Sequence, residues 1–101
     1  MNAGNNTDSA PGDVIAIASH KVRDYATWRA IYDAGKDLRE RSGVTEAEVF
    51  VDPQDPNAVV VITRFASLAA MRAFASNTEL AEAMKRGGVI MPRSITVGVK
   101  P

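Results

Sequence analysis

The chain has 101 residues, with 12 Lys and Arg against 12 Asp and Glu, one histidine and no cysteine. That length makes one domain, the zero net charge without a basic stripe argues against nucleic acid, and no window reaches the roughly 20 apolar residues of a membrane span. Without cysteine there are no disulfides, thiolate chemistry or cysteine-rich zinc sites, and one histidine cannot make a three-histidine metal centre.

Residues 1–13, "MNAGNNTDSAPGD", read as a disordered polar tail. They have neither the charged nor the apolar region of a secretory leader, so a cytoplasmic location is the default expectation. A single domain is expected over 14–101. "VIAIAS" (14–19) is short, apolar and β-branched, and reads as a first strand. Asp24 is suited to cap a helix of about four turns. On it Tyr25, Trp28, Ile31, Tyr32, Gly35 and Leu38 form one apolar stripe, and Ser42-Gly43 stops it. "VTEAEVFV" (44–51) alternates as a second strand, "DPQDPN" (52–57) is dense turn chemistry, and "AVVVITRF" (58–65) returns as a third strand.

Ser67 caps a second helix through Leu68, Met71 and Phe74. A capping box of Ser76 with Glu79 restarts it as "TELAEAMKR", and Gly87-Gly88 ends it. "RSITVGV" (93–99) is a fourth strand. No P-loop or GxGxxG string occurs, so no tightly held nucleotide and no permanent cofactor is expected.

The order β-α-β-β-α-β predicts an α+β, ferredoxin-like fold with a four-stranded antiparallel sheet. Within it, strands 1 and 3 are expected side by side and parallel at the centre, with both helices on one sheet face. Strands 1 and 3 are apolar on both faces, whereas a sheet with one wet face alternates apolar and polar. The second face therefore needs a cover, and a second copy of the chain is the simplest one: a homodimer through sheet faces.

On this topology His20, Arg64, Phe65, Met91, Arg93 and Glu46 should gather at one end of the sheet, with Tyr25 and Trp28 above them. One imidazole, one or two guanidiniums, a carboxylate and an aromatic wall would suit a small, mostly apolar molecule. Plainer readings stand beside this one. His20 can be a capped loop residue, Trp28 core, Arg64–Glu46 a cross-strand ion pair, and Met71, Met84 and Met91 gap-fillers.

Three segments, "SHKVRDYATWRAIYD", "DPQDPNAVVVITRF" and "SLAAMRAFASNTELAEAMKRGGV", together with the element order, resemble the dimeric α+β barrel superfamily. Its members include antibiotic biosynthesis monooxygenase-type domains and polyketide cyclases. The resemblance covers 14–100 and implies a pocket in each subunit between sheet and helices, with cofactor-independent chemistry on aromatic or polyketide-like compounds. On the matching positions, His20 would transfer protons, while Tyr25 and Trp28 would wall the pocket.

The resulting expectation is a cofactor-independent monooxygenase-, cyclase- or isomerase-like enzyme acting on a hydrophobic compound. His20, with an ordinary pKa of roughly 6.5, is the general acid or base. Arg64 or Arg93 steadies developing negative charge, and Tyr25, Trp28, Tyr32, Phe65, Phe74, Met84 and Met91 shape the cavity. The alternative is a non-catalytic dimeric small-molecule-binding or stress-associated module of the same fold.

Overall fold

The computed structural model describes residues 13–101, and at 91–93 the backbone alone. The expected tail therefore lies, except for Asp13, outside the described residues. Eight elements follow one another: β1 (Val14–Val22), α1 (Tyr25–Ala34), α2 (Lys36–Arg41), β2 (Val44–Asp52), β3 (Asp55–Phe65), α3 (Leu68–Ala75), α4 (Thr78–Arg86) and β4 (Val89–Val99). Among the described residues no helix is long and apolar enough to cross a membrane.

The helix starts are set by small polar side chains. Asp24 accepts from the Thr27 N–H at 3.0 Å, and Ser67 accepts from the Ala70 N–H at 3.0 Å, each satisfying a donor that the first turn leaves unpaired. The expected Ser76–Glu79 box is not what starts α4. Asn77 is the cap, accepting from the Glu79 N–H at 2.7 Å, while the Ser76 hydroxyl turns back to the Arg72 carbonyl at 3.1 Å. The expected four-turn first helix is two pieces, α1 and α2. Gly35 is the poorest non-proline helix former, and its N–H bonds the Tyr32 carbonyl at 3.0 Å, tightening the last turn of α1 and ending it. Gly43 does take the left-handed conformation, at φ 83°.

The strands run longer than their apolar runs suggest, because backbone pairing continues into polar flanks. β1 extends through Lys21 and Val22, and β4 begins at Val89. β2 and β3 close a hairpin across Pro53-Gln54, with Asp52 opposite Asp55. The two aspartates hold it, accepting from the Gln54 N–H at 2.7 Å and the Asn57 N–H at 2.9 Å.

The sheet order is β2-β3-β1-β4, and every neighbouring pair is antiparallel. β1 and β3 are thus adjacent but not parallel, contrary to the sequence-based expectation. The crossover through α1 and α2 returns the chain two strand positions away from β1, and the short hairpin folds β3 back into the gap between them. A strand that reverses directly from β2 opposes both of its neighbours.

Register fixes the faces. Ala16, Ala18 and His20 of β1 share the helix side with Val59, Val61, Thr63 and Phe65 of β3. Val22, Trp28, Val59 and Val61 form the buried core, with Tyr25, Tyr32, Val49 and Val89 packed against it. The opposite face carries Ile15, Ile17, Val60 and Ile62, all half-buried, with Phe50 51% exposed beside them. None of the described residues covers that face.

Candidate functional site

A cavity of about 160 Å³ lies between the sheet and the helices. Its floor is Ala16, Ala18, His20, Val61, Thr63 and Phe65. The two alanines matter because larger side chains at the centre of β1 would fill the space. The helices supply the roof, with Trp28, Ile31, Tyr32 and Leu38 from one pair and Met71, Phe74, Leu80 and Met84 from the other. Ile95, 52% exposed, brings in the edge strand β4. Such a lining is mostly apolar with a few polar groups aimed inward, the usual character of a small-molecule site.

Trp28 is held between two tyrosines. Its ring stacks on Tyr32 with centroids 5.0 Å apart and 21° between planes, and it meets Tyr25 at 6.0 Å. The guanidinium of Arg39 continues the stack, 3.9 Å from the Tyr32 ring centroid, within cation–π range. Burial pushes the Tyr32 phenol above its ordinary pKa, against the pull of the Arg39 and Arg29 cations, so it is a neutral phenol at pH 7. Phe65 and Phe74 meet across the cavity wall at 5.6 Å between centroids.

His20 lines this cavity, and its Nδ1 nitrogen is buried. Local alternation places it: Ala16 and Ala18 point to the same side, so the imidazole faces the helices rather than the outer face. Trp28, Tyr32, Phe65, Phe74 and Met84, all expected as pocket residues, also line the cavity. Tyr25 does not. It packs behind Trp28, its N–H donating to Asn57 Oδ1 at 2.8 Å and its hydroxyl accepting from Arg29 at 3.4 Å.

The expected gathering of His20 with Arg64, Phe65 and Glu46 at one end of the sheet does not occur. His20 pairs with Val59, whereas Arg64 pairs with Ile15, five residues away along β1. At about 3.4 Å per residue that separates the two by about 17 Å along the strand. The cause is the antiparallel direction of β3, which carries its C-terminal end away from the end of β1. Arg64 moreover lies on the outer face, 3.5 Å from Glu46 in an exposed cross-strand ion pair, so it is not placed to act on a ligand beside His20. The Met91 and Arg93 side chains lie outside the described residues.

Two polar wall residues were missed in the sequence. Thr63 is 8% exposed on the inward face of β3, and alternation with Val61 and Phe65 is the signal that marks it. Arg39 follows Tyr25, Trp28, Tyr32 and Gly35 at steps of three and four, so a cation stands on the apolar stripe itself. Among the described residues no three His, Asp or Glu side chains cluster as metal ligands.

A four-stranded antiparallel sheet with helices on one face, enclosing an apolar cavity, is the subunit architecture of the dimeric α+β barrels. The profile of the antibiotic biosynthesis monooxygenases matches residues 18–86, and the chain belongs to that family. Among solved structures it is similar to a candidate antibiotic biosynthesis monooxygenase from Bordetella bronchiseptica, with 17% identity and a TM-score of 0.73 over 87% of this chain and 96% of that one. It is also similar to SnoaB, a cofactor-independent oxygenase from Streptomyces nogalater, with 11% identity and a TM-score of 0.68 over 82% and 89% of the two chains. A third likeness is to a candidate antibiotic biosynthesis monooxygenase from Deinococcus radiodurans, at 19% identity and a TM-score of 0.68 over 87% and 92%. These identities establish the fold. Among curated proteins, none matches this sequence.

Proposed function

We propose that the protein is a cofactor-independent enzyme that removes a proton from a compact, mainly apolar ring compound, with His20 as the general base. The observation that carries this reading is the position of His20, the chain's single imidazole, in the wall of an otherwise largely apolar cavity. An imidazole is half-converted near neutral pH and can take a proton from a carbon next to a carbonyl, or from a phenol. The resulting enolate or phenolate is the reactive species, so the substrate supplies the electrons. In the oxygenase form, a ring methylene and dioxygen give a ring carbonyl and water. In the isomerase form, His20 returns the proton at another carbon.

Size narrows the substrate. A cavity of about 150 Å³ accommodates a benzene-sized ring, so one of about 160 Å³ suits one ring within the walls, with a second reaching toward the opening. A larger polycycle must project through the opening.

The outer sheet face completes the reading. Ile15, Ile17, Val60, Ile62 and Phe50 form an apolar strip bordered by Lys21, Arg64, Glu46 and Glu48, and a second copy presenting the same strip would bury it. We take the working protein to be this homodimer, with one cavity per subunit.

The test follows the first chemical step alone. Deuterium uptake from heavy water into 2-tetralone, a two-ring ketone with acidic methylenes, is followed by proton NMR with and without protein. Catalysed exchange that falls by about 100-fold or more in His20→Gln is expected, the usual worth of a general base. Binding without accelerated exchange would favour the non-catalytic module of the same fold. Equal exchange in both proteins would remove His20 from the mechanism.

A further inference from the structure

Among the described residues Arg39 is the only permanently charged side chain in the cavity wall. From it we infer that the cavity selects planar organic anions, holding a one- or two-ring body against the apolar walls and a single carboxylate or phenolate group against Arg39. The inference rests on the cavity being a ligand site, as proposed above, and assigns Arg39 the choice of ligand rather than the movement of a proton.

The guanidinium is half-buried and set in place twice. Its plane lies over Tyr32 at 3.9 Å from the ring centroid, and one Nη donates to the Tyr32 carbonyl at 2.7 Å. The break at Gly35 lies beside it: a Cβ there would stand 3.5 Å from the same Nη, ordinary contact distance, and 3.3 Å from the Tyr32 carbonyl oxygen.

What the guanidinium is not bonded to is equally informative. Arg29 pairs with Asp33 at 3.0 Å, Arg41 with Asp37 at 2.8 Å, and Arg64 with Glu46 at 3.5 Å. No carboxylate of the described residues lies within ion-pair distance of Arg39, and its remaining N–H groups bond no described residue. Those three pairs are exposed and contribute little to stability. Arg39 combines the two properties: it has no carboxylate partner among the described residues, and it lines the cavity.

A ring body that enters cuts these donors off from solvent. A neutral ligand leaves them unmade, at the cost of burying unsatisfied charge, whereas a carboxylate or phenolate replaces the lost water bonds with charge-assisted ones. The fork of a guanidinium matches the two oxygens of a carboxylate, so orientation follows from the same contact. The apolar end of the ligand is then left against Phe65, Phe74, Met71 and Met84.

Binding of 2-naphthoate and of its neutral, near-isosteric methyl ketone, 2-acetonaphthone, tests this by isothermal calorimetry on the full chain. The naphthoate should bind at least about ten-fold more tightly, the scale of a charge-assisted contact. Arg39→Met, which keeps the aliphatic stem over Tyr32, should bring the two ligands within about two-fold of each other and leave the ketone's affinity nearly unchanged. Arg39→Lys should restore part of the preference. Equal affinities in the unmodified protein, or a preference that survives Arg39→Met, would overturn the inference. The ketone binding as tightly as the naphthoate would leave the cavity reading standing. Neither compound binding would remove both.

Discussion

Trp28 shows how much one side chain does here. It is 4% exposed, part of the core with Val22, Val59 and Val61, and it is also a wall of the cavity. Its replacement by alanine deletes both the packing and the stack on Tyr32, and should destabilise the chain by about 3–5 kcal/mol in urea unfolding. Trp28→Phe keeps a ring there and should cost markedly less. A loss below about 1 kcal/mol for the alanine variant would mean that the site collapses around the gap and that the stack is not a fixed wall. Packing in the core and lining the cavity are not alternatives for Trp28, because a cavity lined by core residues has no separate wall. His20 and Trp28 line the same cavity. Arg64 does not join them, since its role in the sequence rested on strand direction rather than on its own chemistry.

At the scale of elements, caps and breaks decide where the helices lie over the sheet. The Asp24 carboxylate accepts from the Thr27 N–H at 3.0 Å and the Thr27 hydroxyl at 2.9 Å. These bonds, the backbone one foremost, hold its pKa below the ordinary aspartate range. A carboxyl whose folded pKa is depressed stabilises the fold above its unfolded pKa, and that contribution is lost as pH falls through the folded pKa. Asparagine caps without titrating, so the Tm advantage of the protein over Asp24→Asn should shrink between about pH 5 and about pH 2. A pH-independent difference would show that the carboxylate's charge contributes nothing at this cap. Element order, the Asp24 and Ser67 caps and the Gly43 stop were legible in the sequence because each is a local property of a few residues. The break at Gly35 and the Asn77 cap were less so. At the cap, Ser76 and Asn77 are adjacent and both are good cap formers; at Gly35, a glycine within an apolar stripe is compatible with a continuous helix.

At the scale of the whole molecule, the apolar outer face of the sheet is where the proposed homodimer would form. Ile62 lies at its centre on β3, flanked by Ile17 across the β1 pairing, and Glu48 stands opposite it on β2. If two copies meet there, light scattering after gel filtration should give twice the 10.8 kDa chain mass. Ile62→Glu should then bury like charges against each other and yield monomer, while leaving the far-UV circular dichroism of the fold in place. An unmodified protein that runs as a monomer at tens of micromolar, on the order expected to hold a stable dimer, would refute the sheet-face pairing.

By itself the sequence determined the element order, the ferredoxin-like class and the existence of two apolar sheet faces, since periodicity and punctuation act over a few residues at a time. It also marked His20, Trp28, Tyr32, Phe65, Phe74 and Met84 as residues of one candidate pocket. Only the tertiary structure decided which of them meet. Strand direction and register are relations between segments far apart in the chain, and a reversal of β3 moves Arg64 about 17 Å from His20 without changing any local pattern. Tertiary packing likewise decided that the stripe of the second helix, with Arg39 on it, forms part of a cavity wall.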